Sequence, residues 1–166
     1  MRDILLSDTC VLLDFCEIGE LSTLLHFRDR IVIAEDLLIA ELPTWEAEIR
    51  QLGFRLDSLS SVEMQRDFLP MMARYQSSGL SCFDISVLTL AKLRKAALVT
   101  GDRRLRLAAI EQKIPLKGTI FLLTELVAQK VLSKEQACDF LVRMRQVGSR
   151  LPWHEARKQI CIASKS

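Results

Sequence analysis

The stretch Leu80–Ala109, LSCFDISVLTLAKLRKAALVTGDRRLRLAA, decides how the rest of the chain is read. It holds a helix, a short apolar strand and the start of a second helix. Ser81 is placed to cap the first helix. Val87, Leu88 and Ala91 then follow Asp84 at i+3, i+4 and i+7, so a carboxylate shares the apolar stripe. The plain explanation is a first-turn acid that complements the helix dipole. Ala97-Leu98-Val99 reads as a buried strand, and Thr100-Gly101-Asp102 ends it with a second acid. Ligands of open parallel sheets bind just beyond the carboxyl ends of the strands, so Asp102 tilts Asp84 toward a functional reading as well.

Toward the N-terminus, Ile4-Leu5-Leu6 is a short apolar strand stopped by Ser7-Asp8-Thr9, which puts Asp8 at a strand end. Leu12, Leu13, Cys16 and residues 18–25 recur at helical spacing, and Gly19 splits them into two helices. Ile31-Val32-Ile33 is the second strand. From Asp36, read as a cap, a helix places Leu37, Leu38, Glu41, Thr44, Trp45 and Glu48 on one stripe, so Glu41 is an acid among large apolar neighbours; Pro43 kinks this helix or ends it. Gly53 closes it, and Phe54–Asp57 is a third strand. Ser60 or Ser61 caps a helix over Val62–Tyr75, interrupted by Pro70.

Toward the C-terminus, Asp102 opens a basic amphipathic helix with Leu105, Ala108 and Ala109 inward and Arg103, Arg104 and Arg106 mostly outward. Lys113–Leu116 is a fifth strand, at an edge where proline is tolerated. A helix over residues 120–131 follows. Ser133-Lys-Glu-Gln136 is a capping box, and it opens a helix with Ala137, Phe140, Leu141, Met144 and Val147 on one face. That face is expected to pack on the domain itself rather than on a second subunit, because a small domain needs the buried area.

Strands alternating with helices predict an α/β fold, a three-layer α/β/α sandwich with a mostly parallel sheet of about five strands. Its 166 residues suit one domain, with a core over about 1–117 and a helical part over about 118–166. With 49% hydrophobic and 27% charged residues and no long apolar run, no membrane span is expected, and Met1-Arg2-Asp3 does not begin a signal peptide. Five cysteines without a CxxC pair argue against a disulfide framework or a zinc site and for a reducing cytoplasm. The net charge of +2 conceals a split: −8 up to Met71 and +10 beyond it, a distribution that suits a polyanion partner.

Asp8 and Asp102 thus lie past strand ends, and Glu41 and Asp84 lie on helices able to lean over the same rim. Four carboxylates with no nearby histidine or cysteine are hard oxygen ligands, suited to Mg²⁺ or Mn²⁺. With such ions they could activate water and stabilise phosphoryl transfer.

Ile4-Leu-Leu-Ser-Asp8-Thr9, Glu41 in Leu38-Ile-Ala-Glu-Leu42, Asp84 in Phe83-Asp-Ile85 and Leu98-Val-Thr-Gly-Asp102 together resemble the acidic cluster of a PIN domain of the kind found in VapC-type ribonuclease toxins. The resemblance runs to about Leu116, and the later helices resemble those appended in one PIN subgroup. It implies a Mg²⁺- or Mn²⁺-dependent ribonuclease acting on single-stranded RNA, with Asp8, Glu41, Asp84 and Asp102 as catalytic metal ligands and Thr9 as a supporting hydroxyl. Thr100, just before Gly101-Asp102, is expected to support the site as well. Arg103, Arg104 and Arg106 are the expected RNA-binding residues. A small antitoxin protein and a second copy in a homodimer are the expected protein partners. Leu21, Leu24, Leu25 and Phe27 exceed one buried stripe and are expected to offer part of that docking surface. The chain departs from the family pattern where Arg103 and Arg104 replace a further acid that many members carry, which bears on a second metal.

Two other readings compete: a PIN-like fold that binds RNA or protein without catalysis, and a phosphoacceptor receiver domain with Asp8, Asp57, Thr100 and Lys117 near its strand ends.

Overall fold

The computed structural model describes residues 3–162. Five short strands form one wholly parallel sheet: β1 (Leu5–Ser7), β2 (Ile31–Ala34), β3 (Arg55–Asp57), β4 (Ala97–Val99) and β5 (Leu116–Lys117), in spatial order β3-β2-β1-β4-β5. β1, β2 and β4 are apolar runs ended by a polar residue or a turn, as the sequence predicts. Edge strand β3 is instead Arg55-Leu56-Asp57, and β5 lies at Leu116–Lys117, later than the expected Lys113–Leu116 because Pro115 has no N–H to donate to the ladder. The order excludes the receiver reading. A receiver sheet sets β1 between β2 and β3, whereas here β1 lies between β2 and β4. Asp57 sits on edge strand β3, where Arg94 holds its carboxylate.

Side chains alternate along the strands and so divide the core in two. Leu5, Ile31, Ile33, Ala97 and Val99 face one helical layer, and Leu6, Val32, Ala34 and Leu98 face the other. The first layer holds α1 (Thr9–Cys16), a 3₁₀ helix (Leu21–Phe27), α3 (Glu46–Leu52), α8 (Thr119–Ala128), α9 (Lys134–Gln146) and α10 (Trp153–Ala156). The second holds α5 (Leu69–Tyr75), α6 (Cys82–Leu93) and α7 (Arg103–Glu111). Helix α2 (Glu35–Glu41) inserts Leu37 into one core and Leu38 into the other. The result is the expected three-layer sandwich.

Local chemistry explains most boundaries. Ser81 and Ser133 cap α6 and α9 through reciprocal capping boxes, each worth about 1 kcal/mol. Pro43 ends the second helix rather than kinking it, so α2 and α3 are separate. Asp36 lies inside α2, and Ala34 takes the cap position. Pro70 does not break its helix. After a capping box at Ser60, α4 (Ser61–Glu63) widens into a π turn over Met64–Phe68, so residue 66 already lacks the usual i+4 partner where proline has no N–H to offer. Beyond α10 the chain continues as a π helix over Arg157–Ile162.

Three expectations fail. Leu21, Leu24 and Phe27 are fully buried, and Leu25 packs beside them. They therefore offer no docking surface, because the turn after Gly19 rolls the 3₁₀ helix onto the core, where burying each large side chain stabilises by about 1.5–3 kcal/mol. The stripe on α9 also packs inward through Ala137, Phe140, Leu141 and Met144, as expected, but Val147 stays exposed. Finally, Cys138 on α9 and Cys161 in the last turn form a disulfide across Cα atoms 5.9 Å apart, so the absence of CxxC spacing did not exclude a bridge; Cys10, Cys16 and Cys82 are free thiols.

Candidate active site

The chain winds from β1 toward β2 and β3 on one side, then returns to β4 and β5 on the other. The topological switch point, the place where open α/β sheets bind ligands, is therefore the crevice between the carboxyl ends of β1 and β4. Ser7 pairs with Val99, and the Asp8 N–H donates to the Val99 carbonyl at 2.9 Å, so Asp8 and Thr100 emerge side by side.

Asp8 is buried and caps α1. Its Oδ1 accepts from the Thr9 N–H at 2.7 Å, and its Oδ2 accepts from Thr100 Oγ1 at 2.8 Å and Cys10 Sγ at 3.2 Å. Burial raises its pKa above the ordinary carboxylate value and the negative charge of Asp84 adds to the rise, while the Thr100, Cys10 and Thr9 donors pull it back. The fully buried Thr100 hydroxyl also accepts from the Asp102 N–H at 3.0 Å, so it joins the ends of β1 and β4 to the start of α7.

The other three acids are connected to this buried carboxylate in different ways. Thr9 Oγ1 donates to Glu41 Oε2 at 2.6 Å, which ties the end of α2 to the start of α1. Glu41 itself is exposed, not enclosed by apolar neighbours, because α2 stops at Leu42 instead of continuing its stripe. Asp84 is half-buried, and its Oδ2 accepts from the Ser81 N–H at 2.7 Å. Asp102 is exposed and caps α7, its Oδ1 accepting from the Leu105 N–H at 2.8 Å. Asp8 and Asp84 are thus coupled electrostatically, Glu41 is linked through Thr9, and Asp102 is linked through Thr100. Among the described residues, no three His, Cys, Asp or Glu side chains are grouped closely enough to hold a metal ion.

A cysteine stands in the site, contrary to expectation. Cys10 Sγ accepts from the Gly101 N–H at 3.2 Å as well as donating to Asp8, and burial together with the Asp8 charge pushes its pKa up to about 12. At neutral pH it is a neutral donor, so the hard-oxygen character of the site survives. Only the position of Cys10 two residues after Asp8, on the first turn of a helix, could have signalled this.

The three arginines differ. Arg103 is exposed and lines a cavity of 460 Å³ beside Cys10, Gly101 and Asp102. Arg104 Nη1 donates to the Gly79 carbonyl at 3.1 Å, and a Cβ on Gly79 would fall 2.5 Å from that nitrogen; with φ at +77°, both space and backbone require glycine there. Arg104 thereby steadies the loop that delivers Asp84. Arg106 Nη1 donates to the carbonyls of Thr100 at 3.0 Å and Lys117 at 3.5 Å, clasping the ends of β4 and β5.

Asp14, also missed in the sequence, is buried on α1 and accepts from Thr119 Oγ1 at 2.5 Å. Burial raises its pKa, opposed by the Thr119 hydroxyl. It fastens the start of α8 to the helix that Asp8 caps.

No curated protein matches the chain. Among solved structures, the crystal structure of PAE2754 from Pyrobaculum aerophilum is similar, with a TM-score of 0.52 and 18% identity over 76% of this chain and 90% of that one, a likeness of fold alone. A family model described as a PIN domain matches residues 4–164, so the chain belongs to the PIN domain family, whose members are commonly nucleases that use divalent metals.

Proposed function

We propose that this protein is a metal-dependent ribonuclease that hydrolyses phosphodiester bonds in single-stranded RNA, and that it is the toxin of a toxin–antitoxin pair. The observation that carries the nuclease reading is Asp8: a buried carboxylate at the switch point of the sheet, whose ionisation is opposed by burial and by Asp84. A divalent cation would relieve both penalties at once, and the carboxylate donors suit Mg²⁺ or Mn²⁺.

Asp8 and Asp84 would hold the ion, with Glu41 and Asp102 at the rim. When bound, the ion would supply Lewis-acid stabilisation of the phosphoryl group and an activated water. The chain's own residues prepare for this. Thr100 and Cys10 fix the orientation of the Asp8 carboxylate, Thr9 holds Glu41 beside it, and Ser81 fixes Asp84 through the capping box. Arg103, exposed and lining the same cavity as Asp102, would take a substrate phosphate.

The test is cleavage of a generic single-stranded RNA by the full chain with Mg²⁺ or Mn²⁺, with chelator and with Asp8→Asn. Cleavage that requires metal and disappears in the variant is expected. The second reading, a binding module without catalysis, is favoured by the ungrouped acids. RNA binding without cleavage in either metal would select it. The toxin role, a small antitoxin partner and a homodimer rest on the family resemblance alone. Co-purification with the product of an adjacent small reading frame, together with the measured mass of the complex, tests them.

A further inference from the structure

We infer that the cleft beside the acidic site, between the ends of β4 and β5 and the segment that follows α9, holds one nucleotide of the RNA chain. The inference rests on the ribonuclease reading only for the identity of the polymer.

The cleft has a volume of 580 Å³, within the range of about 300–1,000 Å³ typical of small-ligand sites. It begins at Thr100 and Gly101, the turn that joins Asp8's partner hydroxyl to Asp102, so its mouth opens on the candidate active site. Among the described residues three cations line it, Arg106, Lys117 and Arg150, and no carboxylate does. Elsewhere the arginines in ion pairs are Arg50, Arg66, Arg74, Arg94 and Arg143, each neutralised by an Asp or Glu. Arg150 is exposed and makes no hydrogen bond or ion pair among the described residues. Arg106 is anchored through Nη1 on two carbonyls, which fixes its guanidinium beside Thr100 at the ends of β4 and β5. Lys117 Nζ stands 4.4 Å from the centre of the Phe121 ring.

Three cations without a counter-anion, one of them held rigidly, make a site for phosphate, and guanidinium groups suit it particularly. Ile120, Phe121 and Leu151, all half-buried, also line the cleft and offer apolar surface to a base. Cationic groups and apolar side chains lining the same cleft match a nucleotide rather than an inorganic anion. Gly101 and Arg150 also border the cavity beside Arg103, so a chain leaving the cleft passes directly over the turn before Asp102.

The test measures binding of a 2′-O-methyl RNA oligomer to the full chain in chelator, where cleavage cannot contribute, across a salt series. The variants are Lys117→Gln/Arg150→Gln together and Arg150→Gln alone, the latter removing a side chain without partners among the described residues. We expect the double variant to bind about tenfold more weakly at low salt and to lose about 1.4 units of salt slope, about 0.7 for each single-strand phosphate contact. The single variant should lose about half of that slope. Backbone NMR shifts at Ile120 and Phe121 should move with a nucleoside monophosphate and be competed by the oligomer.

A wild-type salt slope in both folded variants overturns the cleft while leaving metal-dependent cleavage intact. Weakened binding by a protein that cleaves nothing in Mg²⁺ or Mn²⁺ overturns the nuclease reading and leaves the cleft. A mononucleotide that binds without competition from the oligomer overturns the RNA assignment in favour of a free-nucleotide site.

Discussion

Replacing Thr100 by valine keeps the shape of a fully buried side chain and removes one oxygen. That oxygen donates to Asp8 at 2.8 Å and accepts from the Asp102 N–H at 3.0 Å. A hydrogen bond to a charged group contributes about 1.5–3 kcal/mol, and the part-buried Asp102 N–H, left without its partner, costs up to about 1–3 kcal/mol, the range for a fully buried donor. The valine methyl returns up to about 0.8 kcal/mol of burial. Thr100→Val should therefore destabilise by about 2–4 kcal/mol, which in a domain of this size lowers the thermal midpoint by about 5–15 °C. Thr100→Ser keeps the oxygen and should lose only about 1 kcal/mol of packing.

The pH dependence separates this account from a packing effect. Asp8 has a folded pKa above its unfolded value, so its ionisation weakens the fold above the unfolded pKa, and stability is regained as pH falls through the folded value. Thr100 is the strongest influence opposing that rise, so its loss raises the folded pKa further and widens the window. The valine variant's deficit should be largest near neutral pH and should shrink under mildly acidic conditions. Urea melts of the wild type and both variants at the two pH values are sufficient. A serine variant as unstable as the valine one, with no pH dependence in either, would refute the reasoning and make Thr100 a packing residue.

Asp84→Asn should abolish cleavage yet keep its midpoint, because the amide oxygen can still accept from Ser81 and one charge opposing Asp8 is removed; Asp84→Ala, which loses the capping box, should cost about 1 kcal/mol. A midpoint several degrees lower for the asparagine variant, measured without metal, would count against repulsion between these acids. Arg94 holds Asp57 at 2.7 Å and Glu63 at 2.6 Å, and its guanidinium draws the Glu63 carboxyl down to about 2. That contribution is complete above the unfolded carboxyl value and disappears as pH falls from there toward about 2, so Arg94→Met should flatten the acid limb of the stability profile. An unchanged limb would show that the network adds nothing in solution. The Cys138–Cys161 bridge spans 23 residues, for which loop closure gives about 3 kcal/mol, so reductant should lower the midpoint of the oxidised protein by up to that amount. Equal midpoints with and without reductant, in protein shown by mass to be oxidised, would argue that the last turn is not part of the cooperative unit.

The chain's local order is written in its residues. Leu5-Leu6, Ile31–Ile33 and Ala97–Val99 are short runs between polar breaks, and the helices start where Ser81, Asp102 and Ser133 can accept from their own first turns. Caps, prolines and strand ends depend on neighbours a few positions away, so they are legible in one dimension. The βα alternation then requires a parallel sheet, which makes Asp8 and Asp102 strand-end acids before any coordinate is known. Contacts between distant residues are different, because nothing in the spacing of Asp8 and Thr100 states that β1 lies beside β4. Only the folded sheet sets that hydroxyl on the carboxylate, brings Thr9 to Glu41 and encloses the Cys10 thiol. Tertiary packing also turned Leu21, Leu24 and Phe27 inward, since amphipathic excess in a sequence cannot distinguish a partner's surface from a second wall of the same core. The arginines after Asp102 were visible as a basic run, yet the fold engaged Arg104 with Gly79 and Arg106 with two strand-end carbonyls. It also brought Lys117 and Arg150, 33 positions apart in the chain, to one cleft, because the segment after α9 folds back across the start of α8.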